Sequence, residues 1–233
     1  VSIVKTYYSI GGGFIIDDSE TDNSSLVNVP YKYNNAEELL KVSNKNKKPI
    51  YEVILENEKE LYPDNSKDIK YDILNIWSVM NKSIYNGMQN SGSLSGGLNI
   101  DKRANKLYKR LIKNNETYDP LDVLDWVNIF AIAVAEENAS YGRIVTAPTN
   151  GAAGIIPAVI KYYKEFTRDA TDDGIMRFLL TASAIGSLYK LNASLSGADA
   201  GCQGEIGVAC SMAAAGLVAA KNGTNEQIEN AAE

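Results

Sequence analysis

Two apolar segments in the last third of this chain constrain its fold most. Residues 175–189 are apolar over most of the surface they would present as a helix. A helix of that kind has to be enclosed by other elements. Residues 206–220 carry no charged side chain and are built largely of alanine and glycine. That Ala/Gly pattern, with Gly186 in the first segment, lets helix backbones approach closely. The second run is too short, and too rich in Gly and Ala, to be read as a bilayer span.

The surrounding text is helical as well. Asn35 and Glu38 resemble a helix start, with Leu39, Leu40 and Val42 inside. Ile69, Ile73, Ile76, Trp77, Met80 and Ile84 fall at helical spacing and form a core-facing stripe. Residues 102–113 read as a basic helix whose charges form a solvated face. Asp119-Pro120 is an N-cap followed by proline at the first helical position. The apolar face that follows holds Leu121, Leu124, Val127, Phe130, Ala131 and Val134. Residues 155–166 make a further helix, and Thr224 with Gln227 makes a capping box that opens a last one.

Only the beginning differs. Residues 1–16 are rich in β-branched and aromatic side chains around Gly11-Gly12-Gly13, which predicts two short strands or one bent strand. Residues 17–33 read as a polar linker, and 91–99 as a Gly/Ser loop. The expected fold class is mainly α: a helical domain with a short N-terminal β segment left over from a truncated α+β domain. Residues 1–33 are assigned to that remnant and its linker, and 34–233 to the helical domain. Val1 falls inside a strand-like run and Glu233 a few residues into a helix, so a piece of a longer protein is expected.

Composition narrows the function. A net charge of −6 with no basic block argues against nucleic acid as the main partner. The absence of histidine excludes a histidine triad, zinc site or proton relay within these residues. Two cysteines and no signal-like start lead us to expect a reducing, cytoplasmic compartment and no membrane partner.

Three stretches carry possible chemistry. Gly11-Gly12-Gly13 suits either a turn between strands or a backbone cradle for an anion. No Gly-Lys-Ser/Thr follows, so it is not a nucleotide-phosphate loop, nor does it fit the dinucleotide fingerprint. Residues 143–154, Arg-Ile-Val-Thr-Ala-Pro-Thr-Asn-Gly-Ala-Ala-Gly, run through a turn into a helix N-terminus, where a carboxylate is favoured. Thr149 and Asn150 add side-chain donors there, though an ordinary capped turn is equally compatible. Residues 192–205, Asn-Ala-Ser-Leu-Ser-Gly-Ala-Asp-Ala-Gly-Cys-Gln-Gly-Glu, place Cys202 ahead of the apolar run. At a helix N-terminus the backbone N–H groups and the dipole favour the thiolate, which ligates metals or attacks substrates. The alternative is a small buried cysteine packed near a turn.

The order of these motifs carries a resemblance. Thr-Ala-Pro-Thr-Asn-Gly-Ala at 146–152 precedes the Cys202 stretch, which runs into Gly-Val-Ala-Cys-Ser-Met-Ala-Ala-Ala-Gly at 207–216. With Lys-Thr-Tyr-Tyr-Ser-Ile-Gly-Gly-Gly-Phe at 5–14, the chain closely resembles the bacterial iron–sulfur L-serine dehydratases, or L-serine ammonia-lyases. The resemblance runs from near Lys5 to Glu233 and is least distinctive over about residues 17–114.

It implies a β domain followed by a helical domain with a [4Fe–4S] cluster on three cysteines. Cys202 matches the first. The others belong to a Cys-Asp-Pro…Pro-Cys motif expected beyond Glu233, so this piece alone is expected to be inactive and free of the cluster. A Ser-Ser-Ser-His-Thr motif of the family is also absent. Cys210 matches no ligand and is read as a packed helix cysteine. The implied reaction converts L-serine to pyruvate and ammonia, an iron without a protein thiolate acting as Lewis acid on the leaving hydroxyl. Thr149, Asn150 and Gly151 are candidates for the substrate carboxylate. Ser194 and Ser196 are candidates to bond cluster sulfur or substrate, and Gly12 and Gly13 to border the pocket. Glu205, one helical turn from Cys202, is expected only to cap. No residue is assigned as the base. The expected partners are L-serine and either a second copy or a β domain. Two other readings are a pyridoxal-phosphate lyase, which needs a buried Schiff-base lysine that Lys5 and Lys190 do not signal, and a non-catalytic helical subunit for a separate β chain.

Overall fold

The computed structural model describes residues 4–11, 14–17, 29–62, 69–113 and 121–233. In chain order its elements are strands β1 (Tyr7–Gly11) and β2 (Phe14–Asp17), then helices α1 (Ala36–Lys45), α2 (Ile50–Leu61) and α3 (Ile69–Gln89). Helices α4 (Ala104–Lys113), α5 (Asp122–Ala139), α6 (Ile155–Phe166) and α7 (Asp172–Asn192) follow. The short α8 (Gly197–Cys202) leads through a π-helical turn (Gln203–Gly207) into α9 (Val208–Ala220), and α10 (Asn225–Ala232) comes last. The fold is mainly α, as expected.

Helices α7 and α9 form the centre. A Cβ added at Gly216 of α9 would stand 2.7 Å from Phe178 Cδ1 of α7. One added at Gly186 of α7 would stand 2.8 Å from Met212 Cε of α9. Glycine at these two crossings is what lets the backbones come together, and Phe178 is fully buried as a result. Helices α6 and α10 close over α9, and α2 and α3 over α7. The shared core includes Val53, Met80, Ile160, Tyr163, Ile175 and Phe178.

A second, smaller core lies between α3, α4, α5 and the start of α6, built from Ile84, Met88, Phe130, Ala133, Val134, Ala153 and Ala158. Its tightest point is Gly87, where a Cβ would stand 2.1 Å from the Ala133 carbonyl oxygen. The buried Glu136 of α5 accepts hydrogen bonds from Arg103 N at 2.6 Å and Ala104 N at 3.2 Å. A carboxylate on orphan N–H groups at a helix start satisfies both donors and opposes the helix dipole favourably. Helix α6 belongs to both cores, so its N-terminus is fixed from two sides.

Helix starts follow their caps. Asn35 Oδ1 accepts from Glu38 N at 2.9 Å, and Thr171 Oγ1 from Gly174 N at 3.0 Å. The capping box at α10 is formed, with Gln227 N donating to Thr224 Oγ1 at 3.2 Å and Thr224 N to Gln227 Oε1 at 2.9 Å. The basic face of α4 is solvated, with Lys106, Lys109, Arg110 and Lys113 exposed. Strands β1 and β2 pair antiparallel, with Tyr8 opposite Ile16 and Gly11 opposite Phe14. The two-strand reading of this stretch holds. Gly12 and Gly13, which link the strands, lie outside the described residues, as does the Asp119-Pro120 helix start.

Some elements differ from expectation. Helix α2 was not anticipated, although Ile50, Val53, Ile54 and Asn57 are its buried residues at helical spacing. Helix α7 begins three residues before 175, because Thr171 supplies the cap. The helical stretch leading into residues 206–220 starts at Gly197, and the 24-residue segment Gly197–Ala220 is long and apolar enough to cross a membrane by length and composition. Most residues of its α9 portion are buried against α6, α7 and α10, so core packing accounts for its apolarity.

Candidate functional site

The chain enters the first motif at Gly142, where a Cβ would stand 2.4 Å from the Glu137 carboxylate. The Ala147–Pro148 peptide is cis. Thr149 is then buried, while Asn150 and Gly151 are exposed. Thr146 Oγ1 donates to Asn150 Oδ1, and Asn138 Nδ2 of α5 holds the Asn150 carbonyl at 3.2 Å. At Gly154 the loop meets α5: a Cβ would stand 2.5 Å from the Ala131 carbonyl oxygen. The turn is thus pinned to α5 just before α6 begins. Thr149 is 3 % exposed, and its Oγ1 has no hydrogen-bond partner among the described residues. Ser43 Oγ and Thr181 Oγ1 in the helices are likewise buried without a partner among the described residues, so what distinguishes Thr149 is its place in the turn beside Asn150 and Gly151.

The second motif builds a helix start and then breaks it. Ser196 is the N-cap of α8, its Oγ accepting from Ala198 N at 3.2 Å. Ser194 Oγ accepts from Ser196 N at 3.1 Å and donates to Asp199 Oδ2 at 3.1 Å. Both candidate serines therefore serve their own turn. Gly201 has φ 64° and ψ −157°, a conformation natural to glycine, and it kinks α8 near its end, so that a new helical run starts with Cys202. Cys202 accordingly stands at a helix N-terminus and is exposed as a free thiol. It is not the packed core cysteine that was the alternative.

Glu205 joins the two motifs, which corrects its expected role as a cap only. A Cβ at Gly151 would stand 2.9 Å from Glu205 Oε2, and a Cβ at Gly197 would stand 2.9 Å from the same oxygen. One carboxylate oxygen thus lies against both turns, one helical turn from Cys202. Gly204 is buried where a side chain would strike Ala200 Cβ at 2.8 Å and the Ser194 carbonyl at 2.9 Å, so the π-helical turn and the Ser194 loop stay in contact. Glu205 thus brings Gly151, which follows Thr149 and Asn150, and Gly197, which follows Ser196, to one oxygen, with Cys202 three residues before it in the chain. The signal for Glu205 was the pair of glycines in the two loops, each leaving room for one side chain.

Ser194 faces elsewhere. It lines a cavity of about 600 Å³ with Tyr189, Gln203, Cys210, Ser211 and Glu233. Cys210 is exposed in it, which corrects the expectation of a packed thiol. It sits on a face of α9 that α6, α7 and α10 leave uncovered. Gly12 and Gly13 lie outside the described residues, so their expected place beside the pocket is not described. Among the described residues, no group of three or more His, Cys, Asp or Glu side chains is placed to hold a metal ion. Cys202, an exposed thiol at a helix start, is the one side chain of the two motifs that could serve as a soft metal ligand.

Comparison with known proteins gives a consistent picture. A family model described as serine dehydratase alpha chain matches residues 45–233. The chain is 51% identical over 233 residues to an L-serine dehydratase of Haemophilus influenzae, covering 98% of this chain and 50% of that protein. It is 50% identical over 232 residues to L-serine dehydratase TdcG of Escherichia coli, covering 98% and 51% respectively. An L-serine dehydratase of Streptomyces coelicolor is 45% identical over 236 residues, with 99% and 51% covered. The chain spans about half the length of the curated relatives it matches.

Proposed function

Because the chain belongs to the serine dehydratase alpha chain family, we propose that the protein it forms part of deaminates L-serine to pyruvate and ammonia. The observation that carries this reading is the meeting of the two motif turns on one oxygen of Glu205, beside an exposed Cys202. A site for an amino acid has to bring polar groups from separate loops to one small volume, and these loops do so.

In this proposal Cys202 is one ligand of a [4Fe–4S] cluster, with further cysteines from the part of the protein outside this chain. The cluster, when bound, supplies an open iron as Lewis acid for the departing hydroxyl. Thr149 Oγ1, the Asn150 amide and the backbone at Gly151 bind the substrate carboxylate in the turn that leads into α6, whose dipole favours an anion on that side. The unpaired Thr149 hydroxyl supports that role. Ser196 orders the α8 turn that forms the opposite wall. Gly12 and Gly13 are proposed to border the pocket from the β side. Loss of the α-proton to a base and of the β-hydroxyl gives an enamine. The enamine tautomerises to an imine, which water hydrolyses to pyruvate and ammonia. Residues 1–33 are proposed as the end of a β domain and 34–233 as the cluster-binding domain, and the free thiols suit a reducing compartment such as the cytoplasm. Lys5 and Lys190 are both exposed, which speaks against a Schiff-base lysine at either position.

Anaerobic reconstitution of the full-length protein with iron and sulfide, followed by assay of pyruvate and ammonia from L-serine, tests this function. We expect stoichiometric pyruvate and ammonia. A reconstituted protein that carries iron but releases neither product refutes it and favours a non-catalytic helical subunit.

A further inference from the structure

Resting on the serine reading above, we propose that Glu205 is the residue that recognises the substrate's α-ammonium group, and so selects amino acids over hydroxy acids. Four observations lead there. First, the Glu205 side chain reaches both motif turns, with Oε2 against both Gly151 and Gly197. Second, among the described residues no cation and no hydrogen-bond donor pairs with that carboxylate, whereas Glu56, Glu165, Asp172 and Asp173 each have a lysine. A half-buried carboxylate without a donor has unused acceptor capacity. Third, the nearby Asp199 is already engaged by Ser194 Oγ at 3.1 Å. Fourth, the carboxylate and ammonium of an amino acid share one carbon, so the groups that bind them have to be neighbours. The turn at Asn150-Gly151, which leads into α6, and the Glu205 carboxylate are neighbours in that sense.

The chemistry follows from the charges. The Glu205 carboxylate accepts charge-assisted hydrogen bonds from a substrate ammonium. An analogue with hydrogen in place of the amino group leaves the carboxylate without its partner and binds poorly. Glycine at 151 and 197 keeps the carboxylate open to the substrate.

The test uses the full-length, cluster-loaded protein and its E205Q and E205D variants. Steady-state kinetics with L-serine are measured beside calorimetric titration with 3-hydroxypropionate, which is serine without its amino group. We expect E205Q to raise KM for L-serine about 30-fold or more, with kcat reduced far less. Its affinity for 3-hydroxypropionate should be unchanged or better, so that discrimination between the two collapses. E205D, which keeps the charge, should recover part of the KM. An unchanged KM in a folded E205Q variant overturns the inference. So does a collapse of kcat at constant KM, which would give Glu205 another role. Wild-type protein that deaminates no serine overturns the function proposed above and this inference with it, whereas a normal KM in E205Q with active wild type overturns this inference alone.

Discussion

Glu205 Oε2 lies 2.9 Å from the point where a Cβ on Gly151 would stand, and this single approach joins the loop before α6 to the loop before α9. Gly151 does not need a left-handed backbone, and the atom it would strike is the tip of a flexible side chain. Gly151→Ala should therefore cost little in folding but push the carboxylate away. We expect a shift of no more than a few degrees in Tm for the full-length protein, and at least a tenfold loss of kcat/KM for L-serine. Thermal unfolding and kinetics on the same preparation check both.

The close pass of α3 and α5 at Gly87 is of a different kind. There a Cβ would stand 2.1 Å from the backbone oxygen of Ala133, which cannot rotate aside. Gly87→Ala must separate the helices and loosen the packing around Ile84 and Val134. A loss of about 1–3 kcal/mol is expected from overpacking of this sort, read as a lower denaturant midpoint at unchanged slope.

Glu136 holds the start of α4 through the N–H groups of Arg103 and Ala104. Glu136→Ala leaves two N–H groups without acceptors and removes the charge at the dipole's positive end. The expected cost is about 2 kcal/mol, typical of a lost cap in a buried setting. Amide exchange should show α4 opening more readily than α7 in that variant.

Glu58 gives a prediction in pH. Burial beside Tyr62, Ile69 and Ile73 raises its pKa above the usual carboxylate range. The folded state thus holds this proton more tightly than the unfolded chain does. Its contribution to stability is most favourable at low pH and is lost as pH rises through the raised folded value. Glu58→Gln should raise stability at neutral pH and flatten the profile across the acid side. Denaturant unfolding of both proteins at a series of pH values measures this.

Much of this molecule is written in local pattern. The Asn35, Thr171 and Thr224 caps, the stripe on α3 and the small residues of α9 follow from elementary rules of helix starts and faces. For Cys202 the residues alone left a packed cysteine and an exposed thiol at a helix start both open, and the structure shows the exposed thiol. The place of Glu205 was not legible, because it depends on two loops that are far apart in sequence meeting at one oxygen. Nothing within either motif states the distance between them. Cys210 was misjudged because an apolar run does not say which of its faces its neighbours cover. The partners of Ser194 Oγ, Ser196 N and Asp199 in its own turn, were not legible either, since the same hydroxyl suits a ligand equally well by residue type.

The most direct test of the account is to count iron and measure pyruvate in anaerobically reconstituted full-length protein, wild type beside Cys202→Ala. The account predicts that the wild type binds cluster iron and converts L-serine to pyruvate, and that the variant, though folded, loses both. Full iron content and undiminished pyruvate formation in Cys202→Ala would contradict it.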